Sequence, residues 1–130
     1  MTDYKGPLAD LDAVERRHLL DQMRSMELLP EAIKAKLPEL YSGEKLGLEA
    51  VAKVKFFTPD AILRWYGSEY DGQDLFFGLV VGHDIELGYF SLLELRSLHG
   101  PMGLPIERDL YFEPKALGGL VEWHRQRRGL

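Results

Sequence analysis

Apolar residues recur at helical spacing towards both ends of this chain. The spacing predicts an amphipathic helix over residues 8–28, with its apolar side made by Leu8, Leu11, Val14, Leu20 and Met23. A second helix is predicted to begin at Pro30 or Glu31 and to break before Pro38. A last helix is predicted to open at Pro114 and to present on one side Leu117, Leu120, Val121 and His124. Two adjacent glycines in it, at positions 118 and 119, cost about 2 kcal/mol relative to alanines, so we expect packing or a break there.

In the middle of the chain the apolar residues alternate with polar ones, which is typical of strands. A half-buried strand is predicted over Val51 to Phe57, and further strands over Ile62 to Tyr70, Leu75 to Val81, Leu87 to Phe90 and Ile106 to Phe112. The connections between the first three are too short for crossover helices, so these strands are expected to be antiparallel. The predicted fold class is α+β, an antiparallel sheet of four or five strands flanked by N-terminal and C-terminal helices.

The strand from Leu75 to Val81 is apolar on both faces, which predicts a central strand that is covered on both sides. Gly78 and Gly82 share one of these faces, where they indicate close packing of a helix or a backbone. Replacing either glycine with valine is expected to cost about 1–3 kcal/mol. Ser91 is predicted to cap the next helix by accepting a hydrogen bond from the amide of Glu94.

Length, cysteine content and net charge exclude several classes of protein. The chain has 130 residues, the size of one domain, and no cysteine, which excludes disulfide scaffolds, cysteine nucleophiles and cysteine-ligated metal centres. Its net charge of −5 makes the body a poor general binder of nucleic acid. Residues 114–130 differ, with four basic side chains against one acidic; their basic tail consists of Arg125, Arg127 and Arg128. These arginines are expected to complement a helix dipole, and binding of nucleic acid is the alternative.

No signal peptide and no membrane-spanning run is recognisable, so a cytoplasmic protein without membrane contact is expected. There is no glycine-rich phosphate loop, and no cofactor is expected. The four histidines lie far apart in sequence and show no zinc-binding spacing, so no metal site is predicted. No catalytic set of residues is recognisable, which favours a protein that is not an enzyme.

Charged residues on the last predicted strand are candidates for interactions. Alternation places Arg108 on an apolar face with Ile106 and Leu110, opposite Glu107 and Asp109. A guanidinium in such a place needs a partner, so we expect a structural ion pair, with Glu94 or Glu69 as the carboxylate. Use of this arginine at an interface is the alternative.

Two further sets of side chains leave other functions open. Trp65 and Tyr66, with Tyr70, are expected to belong to the core, although an exposed sheet would let them stack on bases beside Lys53, Lys55 and Arg64. Several carboxylates flank the central hairpin, where a small metal-dependent hydrolase would use them: Glu69, Asp71, Asp74, Asp84 and Glu86. Solvated turn residues are the simpler interpretation of these carboxylates.

Four separate stretches resemble one known family. They are residues 54–66, the apolar strand over 75–82, residues 86–95, and the run from Gly100 to Lys115 that contains Gly100-Pro101-Met102-Gly103-Leu104-Pro105. In this order they are similar to the bacterial domain of unknown function numbered twenty-nine fifty-eight. The resemblance covers roughly Met26 to Leu120. It implies that this chain is one of a group of small proteins that are carried on plasmids and integrative elements, often near conjugation or phage-defence genes. It implies no activity and no catalytic residue.

The resemblance and the patterns together predict an accessory N-terminal helix over residues 1–25 and a single α+β domain over residues 26–130. The leading hypothesis is a non-enzymatic binding or regulatory protein of a mobile genetic element. It is expected to bind a partner protein whose identity the sequence does not indicate. A nucleic-acid-associated accessory factor and a metal-dependent hydrolase remain as alternatives. Met26 is a candidate alternative start, since the family-like stretches follow it.

Overall fold

A computed structural model gives the fold and describes residues 12–18 and 27–130. Within the predicted N-terminal helix, residues 13–18 are helical (α1), and their side chains are exposed. Glu27 and Leu28 are described and are not helical, so the predicted end of this helix at residue 28 is wrong. Residues 8–11 and 19–26, with Leu8, Leu11, Leu20 and Met23 among them, lie outside the described residues.

The remaining elements follow in an α+β order. The helices are α2 (Glu31–Lys34), α3 (Leu92–Ser97) and α4 (Leu117–Arg127), and a 3-10 turn covers Gly47–Glu49. The strands are β1 (Val51–Ala52), β2 (Val54–Phe57), β3 (Arg64–Tyr70), β4 (Leu75–Val81), β5 (Ile85–Ser91), β6 (Glu107–Arg108) and β7 (Lys115–Ala116). The predicted fold class is confirmed.

The strands form two antiparallel sheets. The larger sheet has five strands in the order β5-β4-β3-β2-β6, and the smaller pairs β1 with β7. The short hairpins at residues 71–74 and 82–84 leave no room for a crossover, so β3, β4 and β5 pair with their sequence neighbours. Gly72, in the first hairpin turn, has a φ of +84°, a conformation that glycine adopts without a steric cost.

Both faces of the larger sheet are covered, as predicted from β4. Phe76 belongs to one apolar cluster and Leu79 to another, because alternate side chains of a strand point to opposite faces. On the first face the sheet packs against α3 and the segment around Leu28 and Leu29. On the second face it packs against α4.

A β-bulge in β3 changes which side chains face each cluster. The pairing with β4 shifts register between Gly67 and Glu69, so Ser68 is the extra residue. Tyr70 therefore shares the face of Trp65, although strict alternation from Trp65 would place it on the opposite one. The bulge also sends the side chain of Glu69 to the face of α4.

Gly78 lies beside β3, and the prediction that a helix or a backbone packs closely against it is confirmed for a backbone. A methyl group on Gly78 would overlap the carbonyl oxygen of Tyr66, so the close neighbour is the backbone of β3. A methyl group on Gly82 would meet only the end of the Leu63 side chain, 3.2 Å away. The close neighbour of Gly78 is thus a backbone, whereas that of Gly82 is the end of a flexible side chain.

The predicted strand over residues 106–112 is the largest error in the secondary structure. Only Glu107 and Arg108 pair with β2, and the chain turns at Asp109. The Asp109 carboxylate accepts a hydrogen bond from the amide of Tyr111 at 2.9 Å, which favours a turn over the ladder. As a result Leu110 and Tyr111 are exposed, and the alternation does not extend beyond Arg108.

The last helix begins later than expected. Lys115 and Ala116 pair with β1, and the helix starts at Leu117 rather than at Pro114. The helix does not break at its glycines, because they fall in its first turn. Gly118 lies against Leu48, where a methyl group would be 3.2 Å from the Leu48 Cβ, so packing holds the helix at this point.

Candidate functional site

A cleft lies on the α4 face of the large sheet, between the β2–β6 edge and α4. Its volume is about 500 Å³, within the range of ligand sites in proteins. We call it the aromatic cleft; ten residues line it, namely Lys55, Tyr66, Asp109, Tyr111, Phe112, Glu113, Lys115, Gly119, Leu120 and Trp123. The cleft therefore brings together β2, β3, the turn after β6, β7 and α4.

Lys55 and Asp109 form an ion pair in the aromatic cleft. The Lys55 Nζ lies 3.2 Å from the Asp109 Oδ2, and both side chains are mostly buried. The pair follows from strand pairing, since the amide of Asp109 donates to the carbonyl of Lys55 at 2.9 Å. Tyr66 is the register partner of Lys55 on β3, and the ammonium lies 5.8 Å from the centre of its ring.

The turn at Asp109 sets the position of Tyr111. The other carboxylate oxygen of Asp109, Oδ1, accepts from the Tyr111 amide, and the amide of Phe112 donates to the Asp109 carbonyl. Phe112 consequently packs against Tyr66, with 5.7 Å between ring centres, whereas Tyr111 is 92% exposed. One aspartate thus positions the ion pair and presents an exposed aromatic side chain beside it.

Tyr66 and His124 form a buried pair beneath the aromatic cleft. The Tyr66 hydroxyl lies 2.6 Å from the His124 Nε2. Burial, assisted by the positive charge of Lys55, lowers the pKa of His124 from 6.5 to about 4, and burial raises the pKa of Tyr66 to about 12. At neutral pH both groups are uncharged, and the ring tautomer sets which of them donates the hydrogen bond.

Trp123 lies on α4 with part of its ring open to solvent. Its side chain is 48% exposed, and the guanidinium of Arg127, one helical turn later, lies 4.5 Å from its ring centre. Arg128 donates to the main-chain carbonyls of Gly82 and His83, which ties the end of α4 to the β4–β5 hairpin. Arg125 is exposed on the same helix. The basic tail is therefore divided between three different environments.

The other charged candidates lie apart from the aromatic cleft. Arg108 is half-buried, and its Nε donates to the main-chain carbonyl of Glu27 at 3.0 Å. Burial lowers the pKa of Arg108, and the charge of Glu27 opposes that change. Of the two carboxylates expected beside it, Glu69 accepts hydrogen bonds elsewhere and Glu94 is exposed on α3. Glu107 is half-buried opposite Phe57.

Trp65 and Tyr66 are both buried, at 7% and 2% exposure. The interpretation of these rings as core residues is confirmed, and an exposed sheet face that stacks bases on them is wrong. Trp65 packs in the cluster of the α3 face, and Tyr66 reaches the aromatic cleft only along its floor.

Three of the five carboxylates around the central hairpin accept hydrogen bonds from main-chain amides or a hydroxyl, and Asp84 and Glu86 are exposed. Asp71 accepts from three consecutive amides of its own turn, and Asp74 accepts from the Ser91 hydroxyl and the Leu93 amide. Glu69 is buried and accepts from the amides of Tyr41 and Gly43 at 2.7 and 2.8 Å. Across residues 12–18 and 27–130, no three potential metal ligands come together.

Three lining residues on which binding would depend were not predicted as site residues: Tyr111 and Trp123 were not singled out, and Lys55 was named only as a basic companion of Trp65 and Tyr66. Two of them have a local signal in the sequence. Tyr111 follows an aspartate by two residues, the spacing of a turn closed by an aspartate side chain. Trp123 precedes Arg127 by four residues, the spacing of a cation–π contact on a helix. Lys55 has no such signal, because its partner lies 54 residues away in sequence.

The described helices include none that is long and apolar enough to cross a membrane. No curated protein and no solved structure matches the chain. One family model does match, that of a protein of unknown function, DUF2958, over residues 16–128. The match begins ten residues before Met26, where the resemblance was expected to start. Because it covers most of the sequence, this chain belongs to the DUF2958 family.

Proposed function

We propose that this protein is a non-enzymatic, cytoplasmic binding or regulatory protein of a mobile genetic element, and that it binds a partner protein at the aromatic cleft. One observation carries the proposal: two large aromatic side chains, Tyr111 and Trp123, are exposed beside a cavity of about 500 Å³. Tryptophan, tyrosine and arginine are the residue types that contribute most to the affinity of protein interfaces. Arg127, stacked on Trp123, adds the third of these types.

The chemistry of the aromatic cleft favours binding over catalysis. Tyr66 and His124 hold each other's polar atoms, and their shifted pKa values keep both neutral near pH 7. A general base or acid would need a pKa close to the working pH. The Lys55 side chain is paired with Asp109. The polar groups on the floor of the cleft therefore stabilise its shape, and the exposed side chains at its opening are the ones that can contact a partner.

The setting among mobile-element genes is supported by the family resemblance. Conjugation and phage-defence genes near such elements are the first place to look for the partner. Nucleic acid is the less favoured partner, since Trp65 and Tyr66 are buried and Arg128 binds main-chain carbonyls of the protein itself.

The proposal is tested by capture of a partner with the tagged full-length protein, co-expressed with the neighbouring genes of its element. We expect the wild type to retain a partner protein and the double variant Tyr111→Ala, Trp123→Ala to lose it. Ile62→Ala is the matched control, because Ile62 is a large side chain that is 69% exposed and does not line the cleft. Retention of the same partner by the double variant, at equal yield, would show that the aromatic cleft is not the binding site.

A further inference from the structure

The aromatic cleft contains a cation with hydrogen-bonding capacity to spare. Lys55 contributes an ammonium with three donors, and Asp109 is its one carboxylate partner in the described part of the chain. The Asp109 Oδ1 is occupied by the Tyr111 amide. A ligand oxygen that enters the cleft can therefore bind Lys55 without displacing Asp109. The cation also lies at a partly buried position, where a charge-assisted hydrogen bond is stronger than in water.

The side chains at the cleft are less acidic than the chain as a whole. Residues 114–130, which supply one wall, carry four basic side chains and one acidic, a net charge of +3. The whole chain has −5, so the remaining residues sum to −8. Lys115 lines the cleft and Arg127 covers Trp123 beside it. Asp109 and Glu113 balance the two lysines of the lining, so with Arg127 the charge at the cleft sums to +1, and a single negatively charged group is repelled less here than elsewhere on this acidic chain.

The apolar part of the cleft selects for a ring or a branched side chain. Phe112 and Leu120 line it below Tyr111 and Trp123, and Gly119 leaves open space in front of α4, with no atom within 4 Å of where a Cβ would be. An aromatic side chain entering this space can contact Trp123 on the ring face that Arg127 leaves free. The floor then offers Lys55 to a neighbouring acidic group.

We propose that the aromatic cleft binds a short acidic segment of a partner protein, in which an aromatic side chain contacts Trp123 and Tyr111 and a carboxylate reaches Lys55. This proposal rests on the proposed function and adds the chemistry of the partner. A protein segment is favoured over nucleic acid because Asp109 and Glu113 also line the cleft. They would repel a continuous row of phosphates, whereas a segment with one or two carboxylates avoids them.

The test uses the full-length protein and three probes: the capped peptide Ser-Glu-Phe-Glu-Ser, its lysine counterpart Ser-Lys-Phe-Lys-Ser, and a ten-nucleotide oligothymidine. Binding is followed by tryptophan emission, because the chain has two tryptophans and the other one, Trp65, is buried at 7% exposure. The Trp123→Phe variant supplies the background signal. We expect the acidic peptide to bind about tenfold more tightly than the lysine peptide at low ionic strength, and the difference to shrink as salt is added.

The Lys55→Met variant tests the assigned cation. We expect it to reduce affinity for the acidic peptide about tenfold, while Lys53→Met, two residues earlier and outside the cleft, leaves affinity unchanged. If Lys55→Met does not fold, the comparison of the two peptides on the wild type decides alone. Equal or tighter binding of the lysine peptide would overturn the acidic partner, and tighter binding of oligothymidine would replace it with nucleic acid. Absence of peptide binding would overturn this inference too, whereas the proposed function fails only if the Tyr111, Trp123 double variant keeps its partner.

Discussion

The burial of His124 makes the free energy of unfolding sensitive to acid. Burial lowers the pKa of His124 to about 4, whereas in the unfolded chain it stays near 6.5. Between these values the unfolded state binds more protons, so the free energy of unfolding falls as the pH drops from about 6.5 to about 4. We expect this residue to account for a loss of about 1–3 kcal/mol across that window.

The measurement is urea unfolding at several pH values for the wild type and for His124→Gln, whose amide still offers an acceptor to Tyr66. The slope of stability against pH should be shallower in the variant, because the carboxylates contribute equally to both proteins. Identical slopes would show that His124 does not titrate in this window.

Gly78 lies close to a backbone and Gly82 lies close to a side chain, so a methyl group should have different effects on stability at the two positions. Gly78→Ala is expected to cost at least about 2 kcal/mol, because the new methyl group overlaps the backbone carbonyl of Tyr66 in the adjacent strand, which cannot move without breaking the ladder. Gly82→Ala is expected to cost less than about 1 kcal/mol, because its neighbour is the end of the Leu63 side chain. Thermal unfolding of both variants checks the difference, and equal losses would contradict it.

At the scale of elements, Asp74 and Ser91 join the central hairpin to α3. The Ser91 Oγ accepts from the Glu94 amide at 3.2 Å, as predicted, and donates to the Asp74 Oδ2 at 2.6 Å. Asp74 also accepts from the Leu93 amide, so both residues satisfy free amides at the start of this helix. We expect Asp74→Ala and Ser91→Ala to cost about 1–2 kcal/mol each.

The double variant should lose less than the sum of the two single losses, because both side chains belong to one hydrogen-bond network. Urea unfolding of the four proteins gives the coupling. Strictly additive losses would mean that the two side chains act independently.

The C-terminal end of α4 is held to the β4–β5 hairpin by Arg128. Its guanidinium binds the carbonyls of Gly82 and His83, so Arg128→Ala is expected to speed amide exchange in the last turn of α4 and in the 82–84 hairpin. Arg125→Ala is the control, as Arg125 is exposed on the same turn. Equal exchange rates in both variants would show that Arg128 does not hold the helix end.

For the molecule as a whole, the N-terminal boundary is open to a direct test. Among the described residues, both core clusters begin at Leu28 or later, and residues 12–18 are exposed. We therefore expect a chain that starts at Met26 to unfold cooperatively, with the sheet and the aromatic cleft intact. Near-ultraviolet circular dichroism and thermal unfolding check this expectation. A chain that is insoluble or lacks a cooperative transition would place the earlier residues in the core.

Four features could be predicted from the sequence: the order of the central strands, their antiparallel pairing, the covered faces of β4 and the cap at Ser91. These follow from period, short connections and local hydrogen bonds, which act over a few residues. Three features became apparent only in the folded structure: the bulge at Ser68, the end of β6 at Asp109, and the convergence of Lys55, Tyr111 and Trp123 on one cleft. These features depend on residues far apart in the sequence, or on a local turn that competes with strand pairing. Alternation of apolar and polar residues predicts neither.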